Sequence, residues 1–259
     1  MNKGGFLYGL ERGVRGRFEA PINWPEVYII CASFPKSGNT WLRFLLSNIS
    51  RIISCNDELV SFHTVDKYAP FIRGNRSLKG IYKNPNAPIY LKTHFPYTKY
   101  FDSKRSLILF RNPEDTLRSY KDYLEREVGR SFCSNEEFLR HWRYGVPAWV
   151  NFHKYWLEAS DATFISYEQL RDDGEKVLLH VCNRFKLEVD NSVIERSLNA
   201  SSKENMSSIR SNEGDPHSKN EEYDFVGKER RSVEFTKFEK EYIFENTKEI
   251  YEELRKKSQ

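Results

Sequence analysis

Val27-Tyr-Ile-Ile-Cys-Ala-Ser-Phe34-Pro-Lys-Ser-Gly-Asn-Thr-Trp41 is the stretch on which the fold turns. Residues 27–32 are apolar and partly β-branched, as a buried strand requires. The glycine-containing turn that follows carries Lys36 and the hydroxyls of Ser37 and Thr40, and an apolar helix pattern then runs over 40–53. A helix N-terminus offers backbone N–H groups and the positive end of a dipole, so this joint predicts an oxyanion cradle, with Lys36 adding a mobile cation. It is not the G-x-x-x-x-G-K-[ST] loop, because Lys36 precedes the turn's one glycine, Gly38. Taken alone, the same residues also suit an ordinary strand-turn-helix joint with a solvated lysine.

Working outward, short apolar runs alternate with longer helix-period segments. The predicted strands are 27–32, 89–92, 106–110 and 163–166, and the predicted helices are 40–53, 113–125, 135–142, 149–158, 172–185 and a charged helix after Thr236. This order predicts an α/β fold: a single domain with a central parallel β-sheet flanked by helices and a P-loop-like phosphate turn. The whole chain, 1–259, is read as that domain, with its core over about 27–245. Stretches 60–88 and 201–231 read as irregular. Together with 127–147 they are expected to be lid-like loops at the sheet's carboxyl edge.

Composition narrows the function classes. The net charge of +4, from 41 basic and 37 acidic residues without a long basic block, suits an anionic ligand and argues against nucleic acid. Cys31, Cys55, Cys133 and Cys182 are scattered with no C-x-x-C, which predicts reduced thiols and no zinc site. No run approaches the ~18 apolar residues of a membrane span, and residues 1–20 lack a signal-peptide core. A soluble cytoplasmic protein is the expectation.

A second constellation follows the apolar run 107–110. Arg111 stands at that strand's end, Pro113 suits the first turn of the next helix, and Ser119 lies two turns further on. A magnesium-dependent P-loop kinase would carry an acidic metal ligand at the end of such a strand. A guanidinium there suits a phosphate held bidentately, although taken singly Arg111 also reads as a salt-bridge partner and Ser119 as a solvated helix residue.

These residues jointly resemble the cytosolic-type sulfotransferase family. The segment 34–41 looks like its 5′-phosphosulfate loop, and Arg111 with Ser119 is similar to its 3′-phosphate motif. Lys92-Thr-His94 resembles the strand end bearing its catalytic histidine. Trp149-x-x-x-His153-x-x-Trp156 followed by Ile165-Ser-Tyr167 resembles the helix and strand end that bring in an adenine-contacting tyrosine. The resemblance implies 3′-phosphoadenosine 5′-phosphosulfate (PAPS) as donor, adenosine 3′,5′-bisphosphate (PAP) as product, and no metal. It further implies that Lys36, Ser37, Gly38, Asn39 and Thr40 hold the phosphosulfate, that Trp41 and Tyr167 line the adenine pocket, and that Arg111 and Ser119 hold the 3′-phosphate.

The carboxyl-terminal part departs from the family pattern of Arg-Lys-Gly, Gly-Asp-Trp-Lys and Phe-Thr. Here the segment is Phe225-Val-Gly-Lys-Glu-Arg-Arg-Ser-Val-Glu-Phe-Thr236, in which Gly227 and Phe235-Thr236 survive. Lys228, Arg230 and Arg231 are expected to supply the cationic clamp, or else to be solvated charges. Leu198 stands near the family's adenine-stacking phenylalanine. The dimer motif of animal members is altered to Ser232-x-x-x-Thr236-Lys237-x-x-x-Glu241, so the oligomeric state stays open.

The implied chemistry is in-line displacement at sulfur, with His94 as general base and Lys36 stabilising the leaving phosphate. The acceptor is expected to be a small molecule or saccharide, because the three loops carry Tyr68, Phe71, Tyr82, Trp142, Tyr144 and Tyr223 among polar groups. A small-molecule kinase and a non-catalytic nucleotide- or anion-binding protein are the alternatives.

Overall fold

The structure, a computed structural model, describes residues 27–72, 87–216, 218 and 233–259. Four strands, β1 (Tyr28–Ser33), β2 (Ile89–Thr93), β3 (Ser106–Phe110) and β4 (Thr163–Ser166), pair in parallel in the order β2-β1-β3-β4. Ile30 lies opposite Leu91 on one side and Ser106 on the other, and Leu109 opposite Ile165. Parallel strands need crossovers, and these carry the helices: α1 (Asn39–Ile53) and the one-turn α2 (Val65–Tyr68) between β1 and β2, then α3 (Pro113–Arg126), α4 (Asn135–Arg140) and α5 (Val146–Leu157) between β3 and β4. Beyond β4 come α6 (Tyr167–Asp172), α7 (Gly174–Arg184), α8 (Asn191–Ala200), α9 (Lys203–Glu213) and α10 (Lys237–Lys257).

The alternation along each strand explains the two-faced core. Ile30 and Ala32 of β1, with Ile108 and Phe110 of β3, pack against Leu117, Trp149, Phe152 and Trp156. Ile29 and Cys31, with Leu107 and Leu109, pack against Leu42, Leu45, Leu46 and Val181 on the opposite face. Both faces are covered, so the strands must read as continuous apolar runs, which is how they were found in the sequence. Truncating a fully buried member such as Ile30 would cost about 2–5 kcal/mol.

The strands match expectation to within a residue at their ends. The helix expected at 172–185 is α7, starting two residues later: backbone at Asp173 (φ −145°, ψ 60°) separates it from the unanticipated short helix α6, and the Asp173 carboxylate accepts from the Lys176 N–H to start α7. Helix α4 stops at Arg140, with His141 extended, and α5 starts at Val146, where Pro147 takes an early-turn position that needs no N–H donor.

The irregular reading of 201–231 is corrected over its first part. There Ser202 caps Asn205 and opens α9, a polar helix whose apolar anchor Met206 packs with Phe44 and Tyr68. Only Ile209, partly buried one turn on, joins it there, and two apolar residues in a polar stretch leave a weak periodic signal. Helix α8 was likewise not anticipated, and residues 70–72 add a short parallel edge beside β2, with Lys92 N–H donating to Pro70 O at 2.8 Å and Ile72 N–H to Lys92 O at 2.8 Å.

Candidate active site

The chain leaves β1 for β2 on one side and later inserts β3 on the other, so the topological switch point, where sheets of this kind bind ligands, lies beyond the carboxyl ends of β1 and β3. The four strand ends deliver the predicted residues to this edge: the Lys36 turn from β1, His94 from β2, Arg111 from β3 and Tyr167 from β4.

The turn after β1 is held by Ser37 N–H donating to Phe34 O at 3.3 Å, and Lys36 itself adopts φ 67°. Gly38 caps α1 at φ 99° with no side-chain cap, leaving the first-turn N–H groups of Asn39, Thr40 and Trp41 to be satisfied by something outside the helix. A Cβ at Gly38 would lie 2.5 Å from Cδ2 of Tyr167, so the glycine is required by both backbone conformation and the ring lying against it. Ser37 Oγ and Asn39 Oδ1 are buried and lack a hydrogen-bond partner among the described residues. Asn39 Nδ2, by contrast, donates to Ser33 Oγ at 2.9 Å, which fixes the side chain.

Tyr167 is the hinge of the site. Trp41 meets it edge-on at 5.8 Å between centroids, and the Arg111 guanidinium sits 4.6 Å above its ring. Trp41 is anchored by Nε1 donating to Ser201 O at 2.9 Å, and Asn112 N–H donates to Glu168 Oε1 at 3.0 Å, joining the ends of β3 and β4. Arg111 also stands 3.9 Å from Asp115 Oδ2, and Ser119 is half-buried two turns along α3. Leu198 packs beside α7, with Cδ2 2.9 Å from where a Cβ on Gly174 would be. Gly227, Lys228, Arg230 and Arg231 lie outside the described residues, as do Tyr82 and Tyr223.

On the β2 side of this edge, His94 Nδ1 lies 2.7 Å from Ser33 O. A carbonyl oxygen only accepts, so Nδ1 carries the hydrogen and the lone pair of the neutral ring is on Nε2. Phe71 stands edge-on to this imidazole at 5.5 Å, and Lys92 Nζ lies 5.0 Å from the Phe71 centroid. His63 is differently engaged, with Nε2 2.9 Å from Glu213 O. His153 is buried, donates through Nδ1 to Trp149 O at 2.8 Å, and is pushed down to about 3 by burial, which makes it a neutral core residue.

Several neighbours of Lys36 were not singled out in the sequence. Its ammonium lies 4.7 Å from the Tyr123 ring centroid. Burial pushes its pKa down to about 8, opposed by Asp122 and Glu127 and reinforced by Arg111 and Arg210. Asp122 and Glu127 are buried, and Arg210 comes from the unanticipated α9. The one legible signal was helical spacing, since Ser119 and Tyr123 are four apart on α3 and share a face. Of the acceptor-loop aromatics, Tyr68 is a buried core residue whose hydroxyl accepts from Asn56 Nδ2 at 3.0 Å.

The family described as Sulfotransferase domain matches residues 27–257, and the chain belongs to that family. It is 25% identical over 209 residues to cytosolic sulfotransferase 13 of Arabidopsis thaliana, covering 71% of this chain and 63% of that protein. It is 27% identical over 159 residues to human sulfotransferase 6B1, covering 56% of this chain and 50% of that protein. The chain therefore spans between half and just under two thirds of these relatives. In fold it is similar to mouse sulfotransferase SULT7A1 complexed with PAP, at TM-score 0.63 and 18% identity, over 91% of this chain and 87% of that one. It is similarly related to a retinol dehydratase in complex with retinol and PAP, at TM-score 0.65 and 13% identity, over 94% and 85% of the two chains.

Proposed function

We propose that this chain is a PAPS-dependent sulfotransferase that transfers a sulfuryl group to an acceptor hydroxyl. The observation that carries the reading is the phosphate turn: the Ser37 hydroxyl buried with no hydrogen-bond partner among the described residues, beside the first-turn N–H groups of α1 and a glycine backed by the Tyr167 ring. A buried hydroxyl ordinarily has a partner, and at this turn a bound anion would supply one. Donor groups of this kind fit a phosphosulfate. PAPS, when bound, supplies an activated sulfuryl group on a good leaving phosphate.

The residues divide the work. Ser37 to Thr40 present N–H and hydroxyl donors at the head of α1. Lys36 brings a charge that counts for more in desolvated surroundings and acts where negative charge grows in the transition state. His94, held by Ser33 O in the tautomer with a basic Nε2, takes the acceptor's proton. Trp41 and Tyr167 form two walls for a flat ring, while Arg111, stacked on Tyr167, faces the 3′-phosphate together with Ser119. Gly227, Lys228, Arg230 and Arg231 are the proposed remainder of the 3′-phosphate clamp, and Leu198 a wall of the nucleotide pocket.

Arg111 rather than an acid at the end of β3 weighs against a magnesium-dependent kinase. The acceptor is proposed to be a saccharide or glycosylated compound, since Phe71 stands beside His94, and Trp142 and Tyr144 in the 127–147 loop are half-buried with polar neighbours. PAPS carrying labelled sulfur, incubated with saccharide, phenolic, lipid and peptide acceptors, tests this directly. Transfer to any hydroxyl supports the reading, whereas an equal or larger stabilisation by Mg-ATP than by PAP overturns it.

A further inference from the structure

The loop between α3 and α5 carries charge for which the donor site has no use. Arg130 and Arg143, both exposed, converge on one ring, with guanidinium carbons 5.0 and 5.9 Å from the Tyr144 centroid. His141 lies against the same ring at 4.7 Å between centroids, and its Nδ1 accepts from the Arg143 N–H at 3.1 Å. Among the described residues neither guanidinium has a carboxylate within salt-bridge distance, whereas the neighbouring Arg118, Arg126 and Arg140 each have one.

Two cations held on one ring repel each other, and a surface ordinarily relieves this with an acid. Their pressure reaches His141, whose pKa is lowered first by partial burial, then by Arg130, with Glu137 opposing and Arg143 adding to the fall. Guanidinium pairs around an aromatic face are well suited to an oxyanion carried on a ring, since the plane stacks while the forks bind. The location ties this feature to the transfer site. Tyr144 meets Tyr120 at 6.2 Å, and Tyr120 meets Phe34, the first residue of the Lys36 turn, edge-on at 5.5 Å.

We propose that Arg130 and Arg143, with Tyr144 between them, receive an oxyanion borne by the acceptor, so that the substrate class is an acidic saccharide or acidic glycosylated compound bearing a carboxylate or an existing sulfate. The inference rests on the sulfotransferase reading and deepens its acceptor. It requires no new chemical step: the oxyanion is bound, and the hydroxyl that reacts belongs to another position of the same molecule.

The test is equilibrium binding to the full chain saturated with PAP, using nitrophenyl β-glucuronide, nitrophenyl β-glucoside and the sulfate ester of that glucoside. The expected result is roughly tenfold or greater preference for a charged probe over the neutral glucoside, shrinking as salt is raised, as for charge-assisted contacts at a surface. The tighter of the two charged probes identifies the oxyanion. Arg130→Gln with Arg143→Gln should erase the preference while leaving PAP-induced stabilisation unchanged, which also shows that the variant is folded. Equal affinity for all three probes, a preference that survives the double substitution, or no binding of any charged probe would overturn the proposal. Failure of PAP itself to stabilise the protein would instead count against the sulfotransferase reading, so the two failures are distinguishable.

Discussion

Substituting Gly38 with alanine probes the junction on which the site is built. Two separate costs follow from the structure. The residue sits at φ 99°, where an L side chain costs about 1–2 kcal/mol. The new Cβ would also fall 2.5 Å from Tyr167 Cδ2 and 2.9 Å from Cε2, against 3.4–4 Å for ordinary contact, so the ring must retreat by roughly 1 Å. Overpacking of this kind costs about 1–3 kcal/mol, and the sum should lower the melting temperature by on the order of 5 °C or more. Because Arg111 stacks on the same ring and Trp41 abuts it, PAP affinity should fall as well. A double-mutant cycle separates the terms: in a Tyr167→Ala background the clash is gone and only the φ cost of about 1–2 kcal/mol remains, so the two substitutions should be non-additive by about 1–3 kcal/mol. Thermal unfolding with and without PAP measures both. Additive effects, or Gly38→Ala binding PAP as wild type does, would refute the reasoning.

Three further outcomes are expected. His94→Ala should lower turnover by on the order of a hundredfold or more while leaving PAP affinity nearly intact, since a general base acts on the acceptor's proton; steady-state kinetics beside calorimetry would expose an unchanged rate. Arg111→Ala should selectively abolish the preference for PAP over AMP, at a cost of roughly 2–4 kcal/mol in PAP binding, read as the loss of differential thermal stabilisation. Lys36, at about 8 in the free protein, is charged below that pH and neutral above it, and a bound phosphate raises its pKa. PAP binding should therefore take up a proton above about pH 8 and weaken by up to about tenfold per pH unit there. Lys36→Arg, charged throughout, should flatten that limb, and a limb equally steep in the arginine variant would assign it to another group.

Much of this architecture was legible because it rests on local physics. Strands buried on both faces must be continuous apolar runs, so β1, β3 and β4 could be read within a residue of their ends. The Lys36 turn was legible for the same reason: a left-handed glycine and hydroxyls at the junction of strand and helix are constrained by backbone geometry. Helices α8 and α9 were not legible in advance. Each has one buried apolar anchor, Ile194 or Met206, with Leu198 or Ile209 partly buried a turn on, too few apolar residues to stand out until α1 and its neighbours are there to receive them. The start of α7 at Asp173 was placed a residue or two early because aspartate suits both a cap and a first turn, and only the fold shows its carboxylate on the Lys176 N–H.

Residue types and their order thus determined that a lysine turn, a histidine, an arginine and a tyrosine follow the successive strands. Only the tertiary structure decided how they meet. The order β2-β1-β3-β4 brings residues 94, 33, 111 and 167 to one edge, although they are separated by long stretches of chain. Packing across that edge gave Lys36 its aromatic and acidic surroundings, His94 its tautomer, and Arg130 and Arg143 their common ring. Burial and long-range contact set charge state and orientation, and neither is a property of any local stretch of sequence.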